Sequence, residues 1–244
     1  MAATPNYRFN ANPVFTVNHI SEYLATENAP QRTRIIRAAK FPKKVEVAAY
    51  GQIRAPLQSA LLKPDFDRGD LEFLADKLAT KATREIGYAR DEALRCEKAV
   101  RAFIDLMRPK SFSKVQISAA PSSLSIIQSG VRLKITMDAS VSAETDGVMN
   151  SGGIVLLYAF AADRGPMKDR LGAMTSLLLW ALEGAQMEPL PRLCIGVDLA
   201  GGEIVKASAS YTRFRQHVAD SCHEIAARWD GIEPPDDYDG PDWR

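Results

Sequence analysis

VRLKITMD, residues 131–138, and GGIVLLYAF, residues 152–160, decide how this chain is read. In the first, Val131, Leu133, Ile135 and Met137 alternate with Arg132, Lys134, Thr136 and Asp138. Successive side chains of a strand point to opposite faces, so the pattern predicts one buried face and one wet or functional face. The second is a continuous apolar run from Ile154 to Phe160, which suits a central strand covered on both sides. The pair Gly152-Gly153 before it, and Gly201-Gly202 further on, read as turns. A dinucleotide or phosphate loop places its glycines after a strand and before a helix, and neither pair has that setting.

Working outward, a helix is expected from about Met167 to Gly184, then a strand from Leu193 to Leu199, a return strand from Glu203 to Ala207, and a last helix from Thr212 to Trp229. Upstream, Val115, Ile117 and Leu124 to Ile127 are strand candidates. Everything earlier has helical spacing or none. Residues 1–15 read as a loop or arm. Val17, Ile20, Tyr23 and Leu24 form a helical stripe with Thr16 as cap, and Asn28 precedes a second helix with Pro30 in its first turn. Pro56 interrupts a partly helical stretch from Ala48 to Leu62. Asp70 is expected to cap a long helix that ends at Gly87, and a further helix ends at Pro109. The period changes there from helical to strand-like. The fold class is therefore α/β, a mixed sheet flanked by helices. A helical N-terminal region, 1–110, packs on a mixed-sheet core, 111–229, and an acidic flexible tail follows, 230–244. The connection from Phe160 through a helix to Leu193 should join parallel strands with the usual right-handed crossover.

Composition narrows the function class. With 46% hydrophobic and 25% charged residues among 244, the chain is an ordinary globular one, so disorder is excluded as its dominant state. The formal net charge of +1 argues neither for nor against nucleic acid. No apolar run reaches the roughly 18 residues of a membrane span. The opening MAATPNYRFN lacks a basic segment followed by an apolar one, so no signal peptide is expected. Three cysteines, Cys96, Cys194 and Cys222, stand alone with no CxxC pair. Buried reduced thiols in a cytoplasmic protein are the simplest account.

The order of helix, three strands, helix and strand from Asp91 to Ala207 resembles the core of the PD-(D/E)XK nuclease superfamily, including its RecB-type modules. In that family the second core strand ends in a metal-binding Asp, and the third carries an acid, a spacer and a Lys. The resemblance implies that Asp138 stands at the metal-binding position. The acid-x-Lys positions fall on Leu156/Tyr158 or Tyr158/Phe160, which hold neither an acid nor a Lys. RecB-type modules carry a Gln and a Tyr on the next helix; LGAMTSLLLWALEG has no Gln, and its aromatic residue is Trp180. Metal-assisted phosphodiester cleavage needs at least two carboxylates around Mg²⁺ and a cation to steady the charge. Glu144, Asp146, Glu85, Glu92 and Glu97 are the acids available to rebuild such a site. Without them Asp138 is a strand-end carboxylate or a partner of Lys134 or Arg132.

Between Gln31 and Arg54 lie Arg32, Arg34, Arg37, Lys40, Lys43, Lys44 and Arg54 against one acid, Glu46. Arg34 and Arg37 share a helix face. Basic residues beside Tyr or Phe can hold a phosphate backbone, so Arg32, Arg34, Arg37, Lys40, Lys43 and Lys44 are the candidate nucleic-acid contacts. The alternative is a solvated amphipathic helix burying Ile35, Ile36 and Ala39. The segment RIIRAAKFPKK, 34–44, is also similar to the openings of bacterial proteins of mobile regions. Tyr211, Arg213, Phe214 and Arg215 interleave aromatic and basic groups in a way that can stack bases, or simply bury Phe214. The tail sets Asp230, Glu233, Asp236, Asp237, Asp239 and Asp242 against one basic residue. It is read as solvated, with cover of the basic segment as the other use of its charge. His217, Cys222 and His223 fall about 140° and 240° apart on a helix, which does not build a metal site.

A family pattern kept in its structure and lost at its chemistry implies a catalytically degenerate nuclease-like protein. It would bind nucleic acid or a partner protein, as an accessory factor of bacterial mobile-element or defence systems, with no catalytic residue, metal or cofactor assigned. Two alternatives stand beside it. One is an active metal-dependent nuclease with a displaced carboxylate, using Mg²⁺ at Asp138. The other is a structural or adaptor protein with no nucleic-acid role.

Overall fold

Strand β6 (Val148–Leu157) runs through a five-stranded sheet of order β2-β5-β6-β7-β8, where β2 is Gln116–Ala119, β5 Ala139–Thr145, β7 Pro189–Asp198 and β8 Glu203–Lys206. The first three strands are antiparallel neighbours, β6 and β7 are parallel, and β7 and β8 form a hairpin. The computed structural model describes residues 6–43, 50–108, 112–121, 123–158 and 167–243. Along β6 the apolar run resolves into a period of two. Ile154 and Leu156 belong to one apolar cluster, Val155 and Leu157 to another. Both faces of the sheet are covered, which is why the run shows no polar alternation.

The helices divide between those faces. α3 (Gly51–Leu61), α4 (Arg68–Arg84) and α5 (Gly87–Leu106) share a cluster with Ile154, Leu156, Ile195 and Val197. α1 (Val17–Leu24), α2 (Ala29–Lys40), α6 (Met167–Gly184) and α7 (Thr212–Trp229) share the other, with Val155 and Leu157. α6 makes the crossover from β6 to β7 and touches β6, β7 and β8 as well as α1 and a second sheet. Its Leu171, Met174, Leu177, Leu178, Leu179 and Leu182 are all buried, as a helix apolar around its circumference requires.

The second sheet has the order β1-β4-β3, with β1 at Val14–Thr16, β3 at Leu124–Gln128 and β4 at Val131–Ile135. Val131, Leu133 and Ile135 are buried while Arg132 and Lys134 are exposed, the alternation that the sequence shows. Three features depart from the sequence reading. The N-terminal arm contributes β1, parallel to β4, with Phe15 opposite Leu133 and fully buried. A whole strand, β5, lies between VRLKITMD and GGIVLLYAF, where no element was expected. Its buried face is Ala139, Val141 and Ala143, with half-buried Ser140 and Ser142 between them, so the alternation is carried by small residues. Finally, Gly152 and Gly153 sit inside β6 and are not a turn. A Cβ on Gly152 would lie 2.2 Å from the Leu193 carbonyl oxygen, and one on Gly153 would lie 2.7 Å from the Met137 sulfur. The glycines let β7 and the Met137 side chain approach the β6 backbone at the register shift between Ser151 and Gly153.

The helical region departs from expectation at α3, which runs through Pro56 without a break from Gly51 to Leu61 because the missing Pro56 N–H removes only one helical bond, and at the start of α4. Asn28 caps α2 by accepting from the Gln31 N–H at 3.0 Å. α4 begins earlier than Asp70: Asp67 takes the cap position, and Asp70 lies in the first turn, where a carboxylate complements the helix dipole. The tail expected to be solvated is packed instead. Ile232 is buried, and the rings of Tyr238 and Trp243 meet Phe41 at 5.0 and 6.0 Å. Apolar residues among the acids anchor it. Among the described residues no helix is long and apolar enough to cross a membrane.

Candidate functional site

Asp138 stands where the chain passes from β4 in the small sheet to β5 in the large one. The strand pairs change there from Leu124 opposite Ile135 to Ala119 opposite Ala139. The Asp138 N–H donates to the Ile154 carbonyl at 2.7 Å. One carboxylate oxygen accepts from the Leu156 backbone N–H at 2.7 Å, and the other accepts from the Gln58 side-chain amide of α3 at 2.8 Å. The β5–β6 ladder pairs Ala139 with Ile154 and goes no further along β6. The carboxylate therefore extends that ladder by one bond and ties the sheet to α3. Charge-assisted bonds of this kind are among the stronger ones in proteins.

Tyr158 follows just beyond the end of β6, with its ring 5.4 Å from that of Tyr50. Burial pushes its phenol far above the ordinary value and the Asp138 charge pushes it further, while Arg54 opposes both. The phenol is neutral at any physiological pH, so it supplies neither a charge nor a metal-binding oxyanion. Of the second candidate pair, Phe160 lies outside the described residues. The other acids do not gather on Asp138. Glu144 is exposed six residues along β5, about 20 Å away at strand rise. Asp146 is in the β5–β6 turn with φ of 52°. Glu97 pairs with Arg101 on α5, and Glu85 ends α4. Among the described residues, no group of three or more His, Cys, Asp or Glu could hold a metal ion. The residues around Asp138 do not fit the Mg²⁺ site of the resembled family: both carboxylate oxygens hold donors, and Leu156 and Tyr158 offer no second carboxylate.

The basic segment meets the C-terminal part of the chain. Arg32 bonds the Thr26 carbonyl at 2.6 Å, pairs with Glu224 at 3.1 Å and lies over the Tyr23 ring. Arg37 donates to the Glu233 carbonyl at 3.0 Å. Lys40 is only 3% exposed, and its ammonium donates to the carbonyls of Trp229 at 2.8 Å, Asp230 at 3.3 Å and Ile232 at 3.0 Å. These carbonyls close α7, where a cation complements the negative end of the dipole. Burial lowers the Lys40 pKa, and the Asp230 charge partly restores it. Lys43 pairs with Asp237 at 3.4 Å, and Tyr7 donates to the same carboxylate at 2.7 Å. Asp239 accepts from Asn6 and from the Tyr7 N–H. Arg34 is exposed on α2, and Lys44 lies outside the described residues. So Arg32, Arg37, Lys40 and Lys43 face α7 and the tail, and Arg34 faces solvent.

No protein-family model matches the chain, and none of the curated proteins matches it in sequence.

The remaining candidates separate clearly. Cys96, Cys194 and Cys222 are buried and not joined in disulfides among the described residues, with burial pushing their thiols to about 11, 12 and 12. Arg215 of α7 lies over the rings of both Tyr211, the cap residue of that helix, and Trp180 of α6. The residues missed around Asp138 are Arg54, Gln58 and Tyr50. Arg54 and Gln58 lie four apart and so share a face of α3. Nothing in the sequence links that face to a strand end 80 positions away.

Proposed function

We propose that this chain is a nuclease-like scaffold of the PD-(D/E)XK type in which the metal-binding position serves the sheet, and that it works by binding nucleic acid or a partner protein. The carrying observation is the Asp138 carboxylate, with one oxygen on the Leu156 N–H and the other on Gln58. Sheet order supports the scaffold: β2, β5 and β6 are antiparallel neighbours, and α6 crosses over from β6 to β7, parallel to it. The chain departs from it in that β3 and β4 of the small sheet are inserted between β2 and β5, so the core strand beside Asp138 is β5 and not VRLKI. Leu156 and Tyr158 occupy the acid-x-Lys positions beside Asp138, so charge for phosphoryl chemistry is missing where that scaffold would supply it. Nucleic acid is the ligand to test first, with Arg34 as the exposed contact on α2. Asp237 holds a position on Lys43 that a phosphate would otherwise take.

The test is incubation with labelled single- and double-stranded DNA and RNA in Mg²⁺, Mn²⁺ or EDTA, reading binding and cleavage together. Salt-sensitive binding without cleavage is the expected result, weakened by Arg34→Glu. Metal-dependent cleavage abolished by Asp138→Asn would overturn it in favour of an active nuclease. Absence of both binding and cleavage would remove nucleic acid and leave a protein-binding adaptor.

A further inference from the structure

A groove of about 360 Å³ opens between the end of β3, the C-terminal half of α6 and the first turns of α7, lined by Gln128, Trp180, Tyr211, Arg215 and Gln216 among others. Arg215 organises it. Its guanidinium lies 4.1 Å from the Tyr211 ring centre and 5.2 Å from that of Trp180. The Glu183 carboxylate accepts from one terminal nitrogen, and the buried Nε has no partner among the described residues. Two rings and a planar cation are thus held together in advance, with their rotamer entropy already spent in folding. Tyr211 is 37% exposed, so ring surface remains open to a ligand. Two primary amides, Gln128 and Gln216, stand at the walls; the Gln216 nitrogen gives one hydrogen to Asp220 at 2.9 Å, which leaves its oxygen and the Gln128 amide for a ligand.

From this geometry we infer that the groove is a stacking subsite for an unpaired nucleobase, presented by a single strand or a free nucleotide. Every base has a π-face, and aromatic rings with arginine form the usual platform for it. The volume lies at the low end for small-molecule sites, and the opening to solvent leaves a path for a continuing strand. The amides can reach a base edge in several pairings, so weak sequence preference is expected. The inference rests on the nucleic-acid reading above but uses a surface remote in sequence from α2.

The full-length chain is titrated with a mononucleotide, a single strand of about twelve nucleotides and the matching duplex. Tryptophan fluorescence and anisotropy are read together. Quenching by the mononucleotide and the single strand is expected, and Trp180→Phe should remove it. Tyr211→Ala should weaken single-strand binding about tenfold or more, the loss expected for one stacked base. Its melting temperature and circular dichroism, unchanged from the parent, establish that the variant is folded. Saturation by the mononucleotide as tight as by the strand would assign the groove to free nucleotides; tighter strand binding would assign it to single strands. Duplex binding that is lost in Arg34→Glu, without quenching by either unpaired ligand, would overturn the groove while leaving the reading of the scaffold intact. Quenching that survives Arg34→Glu unchanged would support the groove and move the contact surface away from α2. A proline-rich peptide that quenches Trp180 when nucleotides do not would also overturn it.

Discussion

Replacing Asp138 by alanine tests whether that carboxylate holds the sheet or waits for a metal. The side chain makes two hydrogen bonds, to the Leu156 N–H at 2.7 Å and the Gln58 amide at 2.8 Å. Bonds to a charged group contribute about 1.5–3 kcal/mol each, and a buried donor left unpaired carries its own desolvation cost. Gln58 can turn toward water, whereas the Leu156 N–H is fixed in β6, so the alanine variant should lose about 3 kcal/mol. For a chain of this length that corresponds to a fall in melting temperature of about 6–12 °C. Asp138→Asn keeps one carbonyl oxygen for the Leu156 N–H, and Gln58 can present its own oxygen to the new amide. It should cost about 1 kcal/mol. A carboxylate kept for metal chemistry behaves in the opposite way: removing it leaves stability unchanged or raises it, because functional sites trade stability for activity. Urea unfolding followed by circular dichroism, with EDTA and with Mg²⁺, measures both variants. An alanine variant as stable as the parent in EDTA would refute the sheet-holding role.

Gly152→Ala should destabilise by about 3 kcal/mol, the upper part of the overpacking range, because its Cβ would meet the Leu193 backbone at 2.2 Å and neither strand can move independently; denaturant midpoints check this. Burial raises the Glu224 pKa, but the nearby Tyr23 phenol, the Arg228 hydrogen bond and the charges of Arg32 and Arg228 outweigh it, leaving the folded value below the ordinary 4.5. The stability it contributes is present above 4.5 and is lost as pH falls through the folded value, so Glu224→Gln should flatten the acid limb of a melting-temperature profile below that pH. Thiol titration at pH 8 should find Cys96, Cys194 and Cys222 unreactive until the chain unfolds, since burial holds them at about 11, 12 and 12; one fast-reacting thiol would contradict their placement.

Legibility followed the range of the interactions. VRLKI shows its alternation because one face of the small sheet meets the core and the other meets water. The run from Gly152 to Leu157 reads as a central strand because two helical layers cover it. β5 was hidden because alanine and serine carry its pattern, so hydrophobicity hardly changes from face to face. β1 was hidden because three residues are too few to display a period, and its place is set by pairing with Arg132, Leu133 and Lys134 far along the chain. At the candidate site the position of Asp138 at a strand end was readable and its partners were not. Gln58 reaches it across 80 residues, and the Leu156 N–H is backbone, which no side-chain pattern reveals.

The basic segment shows why a charge run is a poor measure of an available surface. Lys40 belongs to a run of cations in sequence, yet it is buried on three carbonyls at the end of α7. Lys43 and Arg37 are joined to the tail, and Ile232, Tyr238 and Trp243 add apolar contacts that salt does not screen. A nucleic acid that claimed the whole segment would have to break all of these, whereas each phosphate it gained would return only a salt-sensitive contact. Binding on α2 should therefore leave the tail in place and engage Arg34. The log–log salt slope separates the two cases. Contact through Arg34 alone gives a slope of about −1 on duplex DNA, whereas engagement of Arg32, Arg34, Arg37, Lys40 and Lys43 gives about −4.5. A slope near the larger value, together with loss of the Trp243 environment on binding, would mean that the tail is displaced and that its acids compete with phosphate for one surface.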